Sequence, residues 1–348
     1  MLGNAAVIHT RRWAEYFRAR GHAVGVWSLE RPAAGFAASG LPRLPLPGFL
    51  RYPIATPALR RALERFAPDL IDAHFVPNYG VLAALSGRRP LSITAWGSDL
   101  LLPPGAAFQR ARARFVLARA DLVIADSGNL AAAARALGAD PSRTHAIPWG
   151  VELERFERLP PREPGLLFSA RMHEQVYDIP ALLAGARPVL DRHPQARLVL
   201  AGDGRLRAAH ERLARAWLPA GRVSFVGMLV PPELAAWLGR ADVYLSASRS
   251  DSTSVTLLEA MAAGAIPVVS DIPGNREWVS DGDGARLFAP GDAAGAARAI
   301  ERALADPEWA AAARARNRRV VEERARWGAN MRRIEALFQA LAAAGSSA

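Results

Sequence analysis

Residues 248–264 read SRSDSTSVTLLEAMAAG. The apolar run VYLSAS (243–248) leads in, and LLEAMAA (257–263) leads out. A β-branched run, a polar turn and then a helix make the strand–loop–helix unit of a parallel α/β sheet. The junction carries a carboxylate, Asp251, and three hydroxyls, Ser252, Thr253 and Ser254; eight residues after Asp251 comes Glu259, flanked by apolar residues. A helix beginning near Ser254 presents unpaired backbone N–H groups and the positive end of its dipole beyond the strand. Such an end suits a diphosphate, to which the hydroxyls add donors, and Glu259, about one and a half turns in, is expected to accept hydrogen bonds from a ribose. The plainer alternative makes Asp251 or Ser252 a helix cap and Glu259 a solvated residue. An acid among apolar neighbours needs a partner, which favours the binding role.

Outward from this stretch the pattern repeats. Strand candidates are VGVWSL (24–29), LIDAHF (70–75), LSITAW (91–96), LVIADS (122–127) and HAIPWG (145–150), then GLLFSA (165–170), RLVLAG (197–202), RVSFVG (222–227), IPVVSD (266–271) and RLFAP (286–290). Helix-period segments separate them. The fold class is therefore α/β, with two doubly wound Rossmann-like domains facing across a cleft. The stretch ERLPPREPG (157–165) reads as the linker, giving a first domain over 1–158, a second over 165–325, and a C-terminal helix over 326–348 expected to pack back toward the first domain. Only Met1 and Leu2 precede the first loop, GNAAVIHTRRW, so the first strand reads as truncated and the sheet edge beside it as weak.

The chain has 348 residues, 51% of them hydrophobic, and no cysteine, which excludes disulfides and cysteine-ligated zinc. Its net charge is +11, and every basic residue is arginine. The charge is uneven: residues 1–158 hold 20 Arg against 12 acids, and the remainder 24 against 21. Solvated helix faces account for much of this; a basic first domain also suits contact with an anionic membrane surface. No apolar run spans a bilayer and no signal peptide precedes the first motif, so the expected location is cytoplasmic, peripheral at the inner membrane face.

Ligands of open α/β sheets bind beyond the carboxyl ends of strands. Arg171 sits at such an end and is suited to clamping phosphate. In the first half Asn4, His9 and Arg11 lie in the first loop, His74 ends a strand, and Trp96 and Asp99 end another. His74 reads equally as a structural histidine and Asp99 as a cap. GDGRLR (202–207) lacks the third glycine of a dinucleotide site and reads as a strand-to-helix turn. No metal motif and no nucleophile elbow is present, so neither metal nor cofactor is expected, and nucleic acid is not an expected partner.

SASRSDSTSVTLLEAMAAGAIPVVS resembles the signature of the family 4 retaining glycosyltransferases of the GT-B fold. Further likeness lies in LLFSAR, ARLVLAGDGRLR, ADVYLSAS, PDLIDAHF and IPWGVELERF, so the resemblance covers nearly the whole chain. It implies a hexosyltransferase that takes a nucleotide-diphosphate sugar as donor and a carbohydrate or lipid-linked acceptor, in cell-envelope or polysaccharide biosynthesis. On that resemblance Arg171 and the backbone of Ser252–Val255 meet the diphosphate and Glu259 holds the ribose. Phe225–Leu229, with Gly227 and Met228, flank the base, and Asp251 stands near the donor sugar, so that Asp251 and Glu259 are the catalytic pair. Asn4, His9, His74, Trp96 and Asp99 line the acceptor side. Three departures stand out: Asp251 replaces a Glu, no lysine lies near Val176 where relatives place one, and Trp96 takes the place of a histidine. Rival readings are a sugar-nucleotide epimerase of the same build and a catalytically silent nucleotide-sugar-binding module. A nicotinamide dehydrogenase is disfavoured because neither half opens on GxGxxG.

Overall fold

The computed structural model describes residues 1–43, 45–101 and 106–346. The chain divides into two compact units, Met1–Pro148 with Asn330–Ala348, and Trp149–Ala329. The first unit thus ends ten residues before the boundary read from the sequence. Residues from Asn330 onward belong with it; the final two of the expected 326–348 segment lie outside the described residues.

The first unit holds strands β1 (Trp27–Ser28), β2 (Ser39–Gly40), β3 (Ile71–His74), β4 (Leu91–Ala95), β5 (Leu122–Ala125) and β6 (Thr144–Ala146). β3 to β6 form one parallel ladder, and β1 pairs with β2. Leu2 joins the two pieces through parallel bridges to Trp27 and Ala73. Its N–H donates to Asp72 O (2.8 Å) and its carbonyl accepts from His74 N (2.8 Å). The sequence reading put a weakened edge here, and the structure corrects it. The short stretch around Leu2 lies in the middle of the sheet order, flanked on both sides, because its hydrogen bonds run to two neighbours. In the C-terminal helix Trp327–Ser346, Glu335 accepts from Tyr16 Oη (3.1 Å) and meets His22 Nε2 (2.8 Å), and Phe338 stacks on Phe17.

The second unit holds β7 (Leu166–Ala170), β8 (Arg197–Ala201), β9 (Val223–Gly227), β10 (Val243–Ser246), β11 (Ile266–Ser270), β12 (Ser280–Asp281) and β13 (Gly284–Phe288). They form one parallel sheet in the order β12-β13-β11-β10-β7-β8-β9. Alternate residues of each strand enter opposite cores: Leu167, Leu198, Leu200, Val243 and Leu245 on one face, Leu166, Phe168, Val199 and Tyr244 on the other. A sheet covered on both faces is what the continuous apolar strands require. The chain winds outward from β7 to β9, returns to β10 beside β7, then winds the other way. Crevices for ligands open at such reversals.

Candidate active site

Two loops leave the second sheet at its reversal, one after β7 and one after β10. Arg171, the first residue past β7, is only 8% exposed. Its Nη1 donates to Ser254 Oγ (2.6 Å) and its Nη2 pairs with the Asp251 carboxylate. The guanidinium lies 4.3 Å from the centre of the Tyr177 ring. Burial works against its charge, yet the facing Asp251 carboxylate outweighs that, so its pKa is held above the ordinary arginine value. Its Nε is buried without a hydrogen-bond partner. Beneath it the phenol of Tyr244 is fully buried, and that burial raises its pKa.

The opening stretch forms the other wall. The helix spans Val255–Ala263, so Ser254 is its N-cap rather than its first residue, accepting from Leu257 N (3.3 Å). Gly264 closes it at φ +78°, a conformation that favours glycine. Thr253 Oγ1 accepts from the Trp278 indole (3.3 Å), and Ser252 N donates to Asp251 Oδ1 (3.1 Å). The Thr253 and Ser254 hydroxyls therefore hold the loop, which leaves the backbone N–H groups of the helix start as the donors an anion could meet there. Glu259 is not the fully buried acid the sequence suggested. It is half-buried with Val255 and Thr256, on the stripe left open while Leu257, Leu258, Ala260 and Met261 enter the core.

Close backbone packing fixes these loops. A Cβ on Gly274 would stand 1.9 Å from Ser252 O, so the turn Pro273–Arg276 abuts the Asp251–Ser252 backbone as only glycine permits. Gly202, at φ +110°, lies against Arg171 O in the same way. Its neighbour Asp203 accepts from His173 N (2.8 Å). The GDG turn thus braces the Arg171 loop. Gly227 ends β9, its carbonyl accepting from Gly202 N (2.8 Å), and Met228 beyond it is exposed.

His173 and His210 meet Nδ1 to Nδ1 at 2.9 Å under this loop. Burial lowers both pKa values below 6.5. The unfolded chain therefore binds more protons than the folded one as pH falls through 6.5, and stability is present above that pH and lost below it. Melting curves should be flat near neutrality and fall toward pH ~5; replacing both histidines by asparagine should flatten that acid limb. His9, lowered to about 4 by burial, adds a contribution of the same sign.

The first unit carries its own crevice, at the corresponding reversal between Leu2 and β3. A cavity of about 220 Å³ is lined by Asn4, Glu30, Tyr52, His74, Tyr79 and Trp96 among others. Tyr79 Oη pairs with the Glu30 carboxylate and accepts from Leu29 N (2.8 Å). Tyr52 packs edge-on to Tyr79, and burial, with Glu30 nearby, lifts its phenol to about 12. His74 Nε2 meets Asp72 Oδ2 (2.8 Å), while its Nδ1 is buried with no hydrogen-bond partner. His9 lies edge-on to Trp96 at 5.7 Å, and Arg11 pairs with Glu15 along its own helix. Asp99 does not line the cavity: fully buried, it accepts from Val76 N (3.0 Å), Trp96 N (3.0 Å) and Gly97 N (2.8 Å), clamping two loops together. Among the described residues no cluster of three or more His, Asp or Glu side chains could hold a metal ion, and no helix is long and apolar enough to cross a membrane.

Residues 6–155 match the family described as Glycosyltransferase Family 4, and residues 163–306 the one described as Glycosyl transferases group 1. The chain belongs to the family 4 glycosyltransferases. The transferase is 28% identical to a phosphatidyl-myo-inositol mannosyltransferase of Mycolicibacterium smegmatis, over 86% of this chain and 81% of that protein. It is 27% identical to the putative glycosyltransferase EpsD of Bacillus subtilis, over 72% of this chain and 71% of that one. Its fold is that of Anabaena HepE in complex with UDP and glucose (TM-score 0.82, 18% identity, 98% of both chains) and of a sucrose-phosphate synthase from Thermosynechococcus elongatus (TM-score 0.82, 23% identity, 97% and 93%). These are GT-B glycosyltransferases.

Around the transferase's two crevices, sequence reasoning missed Tyr177, Tyr244 and Arg249 in one and Glu30, Tyr52, Asn78 and Tyr79 in the other. Arg249 bears on the missing lysine. Its N–H donates to Val176 O (2.8 Å), and its guanidinium pairs with Asp178 (2.7 Å). A cation borne by the β10 loop thus stands beside the position where the family resemblance places a lysine on the β7 loop. Glu30 was legible as an acid immediately past a strand.

Proposed function

We propose that this glycosyltransferase moves a hexose from a nucleotide-diphosphate sugar to a carbohydrate or lipid-linked acceptor, with retention of anomeric configuration. The observation that carries the donor reading is Arg171, a buried cation at a strand end beside an N-capped helix start, where the sheet order reverses. A diphosphate leaving group develops negative charge there, and a fixed guanidinium with backbone N–H groups stabilises it without reorganisation. Glu259, on the open stripe of that helix, accepts from the ribose; Met228 offers an apolar face to the base. Asp251 orients the donor sugar, and the leaving phosphate takes the acceptor's hydroxyl proton, so positioning does the work of a dedicated base.

The first-unit cavity supports an acceptor rich in hydroxyls. Tyr52, Tyr79 and Trp96 give aromatic walls, and Glu30, Asn4 and Asn78 give hydrogen-bonding groups. Relatives named for lipid acceptors agree with this: the mannosyltransferase above, and an alpha-monoglucosyldiacylglycerol synthase of Streptococcus pneumoniae. The reading requires no cofactor or resident metal, places the enzyme in the cytoplasm, and has its basic first unit meet the inner membrane face.

Melting the protein with UDP-, GDP-, ADP- and TDP-sugars tests the donor half. At about 100 times Kd, one nucleotide should stabilise by about 2.7 kcal/mol, a rise of a few degrees in Tm. A flat response to all four removes the donor assignment. With the matching donor, NMR of the product decides retention against inversion. Conversion of donor to an isomeric sugar nucleotide without acceptor would establish the epimerase instead.

A further inference from the structure

The first unit wears an apolar face where a helix normally turns polar residues outward. In the helix Gly48–Ile54, Phe49 (46%), Leu50 (39%) and Ile54 (47%) are exposed, and Phe108 (55%) on the helix Ala107–Leu117 joins them. Phe49 and Phe108 meet edge-on at 5.7 Å, so the two helices share one surface. Single exposed apolar residues are ordinary; four large ones on two adjoining helices are not.

The two stretches of sequence that carry this face hold charge of one sign. No Asp or Glu occurs from Arg31 to Leu63, a stretch with five arginines, or from Leu100 to Ala120, a stretch with four. Arg112 lies 5.6 Å over the Phe108 ring, and Arg43 and Arg114 are exposed. Exposed aromatic and aliphatic side chains on stretches that carry arginine and no acid are complementary to an interface of acyl chains beneath anionic headgroups.

The same helix reaches the acceptor cavity. Tyr52, three residues after Phe49, is buried and lines the cavity with Glu30, His74 and Trp96. We infer that the face formed by Phe49, Leu50, Ile54 and Phe108 lies in the headgroup region of an anionic bilayer, holding the acceptor cavity at the height of a lipid's polar head. This rests on the lipid-linked acceptor reading and specifies the surface that serves it.

Co-sedimentation tests it with no donor or acceptor present, so failure here leaves the transferase reading intact. The probes are vesicles of equal parts phosphatidylglycerol and phosphatidylcholine, against phosphatidylcholine alone. The wild type should sediment with the anionic vesicles at low salt and not with the neutral ones. Phe49→Ser with Phe108→Ser should weaken binding roughly tenfold or more, as should Arg43→Gln with Arg114→Gln, with both variants keeping the wild-type Tm because all four sites are exposed. Wild type left in the supernatant, or serine variants that bind as wild type does, overturns the inference. So does a wild-type dimer that the serine variants convert to monomer, which would make the face a contact between copies of this chain.

Discussion

Replacing Arg171 by glutamine should lower kcat/KM for the donor by about 10²–10³-fold, the size expected when one fixed donor to a developing oxyanion is removed. The side chain is 8% exposed and bridges the loops after β7 and β10 through Asp251 and Ser254. Removing it also takes the guanidinium from Asp251, whose side chain is 19% exposed, so a loss of stability of order 1–3 kcal/mol is expected, below that of a wholly dry pair. The two effects separate in the double variant Arg171→Gln with Asp251→Asn, which should recover most of the Tm and none of the activity. Arg171→Lys should remain well below wild type, because an ammonium cannot reach Ser254 and Asp251 together through one planar fork. A Gln variant with wild-type kcat/KM would remove Arg171 from the diphosphate site.

Asp251→Asn should push two measurements in opposite directions. The Asp251 carboxylate sits on Nη2 of Arg171, the atom that the proposed function gives to a donor phosphate oxygen. Neutralising it frees the guanidinium, so affinity for the nucleoside diphosphate alone should rise about tenfold, roughly 1.4 kcal/mol. Turnover should fall about 10²-fold, since the carboxylate displaced from Arg171 by the incoming donor would no longer orient the sugar. Calorimetry with the nucleotide and steady-state kinetics with the sugar nucleotide read the two effects. A binding module would show the first without any turnover to lose. If affinity and rate fall together, the carboxylate does not occupy the phosphate position.

The opening stretch shows where reading a sequence succeeds. A helix start near Ser254 and the spacing from Asp251 to Glu259 follow from helix geometry within a single element, and so does the strand that feeds it, while the cap itself fell on Ser254 and not on Asp251 or Ser252. The alternation of apolar strands and helices likewise determined two parallel sheets, and the lack of acid from Arg31 to Leu63 needs no fold to be seen.

Other features depend on which strands become neighbours. Arg171 and Asp251 are 80 residues apart, Glu30 and Tyr79 are 49 apart, and Arg249 reaches Val176 only because β10 pairs with β7. Local propensity carries no information about such pairings. The same dependence explains two further features: Asp99 became a buried clamp because two strand-end loops converge on it, and Glu259 kept an open stripe because the helix packs with its other faces inward. Sequence alone determined the elements and the charge each carries. Tertiary structure decided which charges meet, because strand order, and not distance along the chain, sets what stands at the mouth of each sheet.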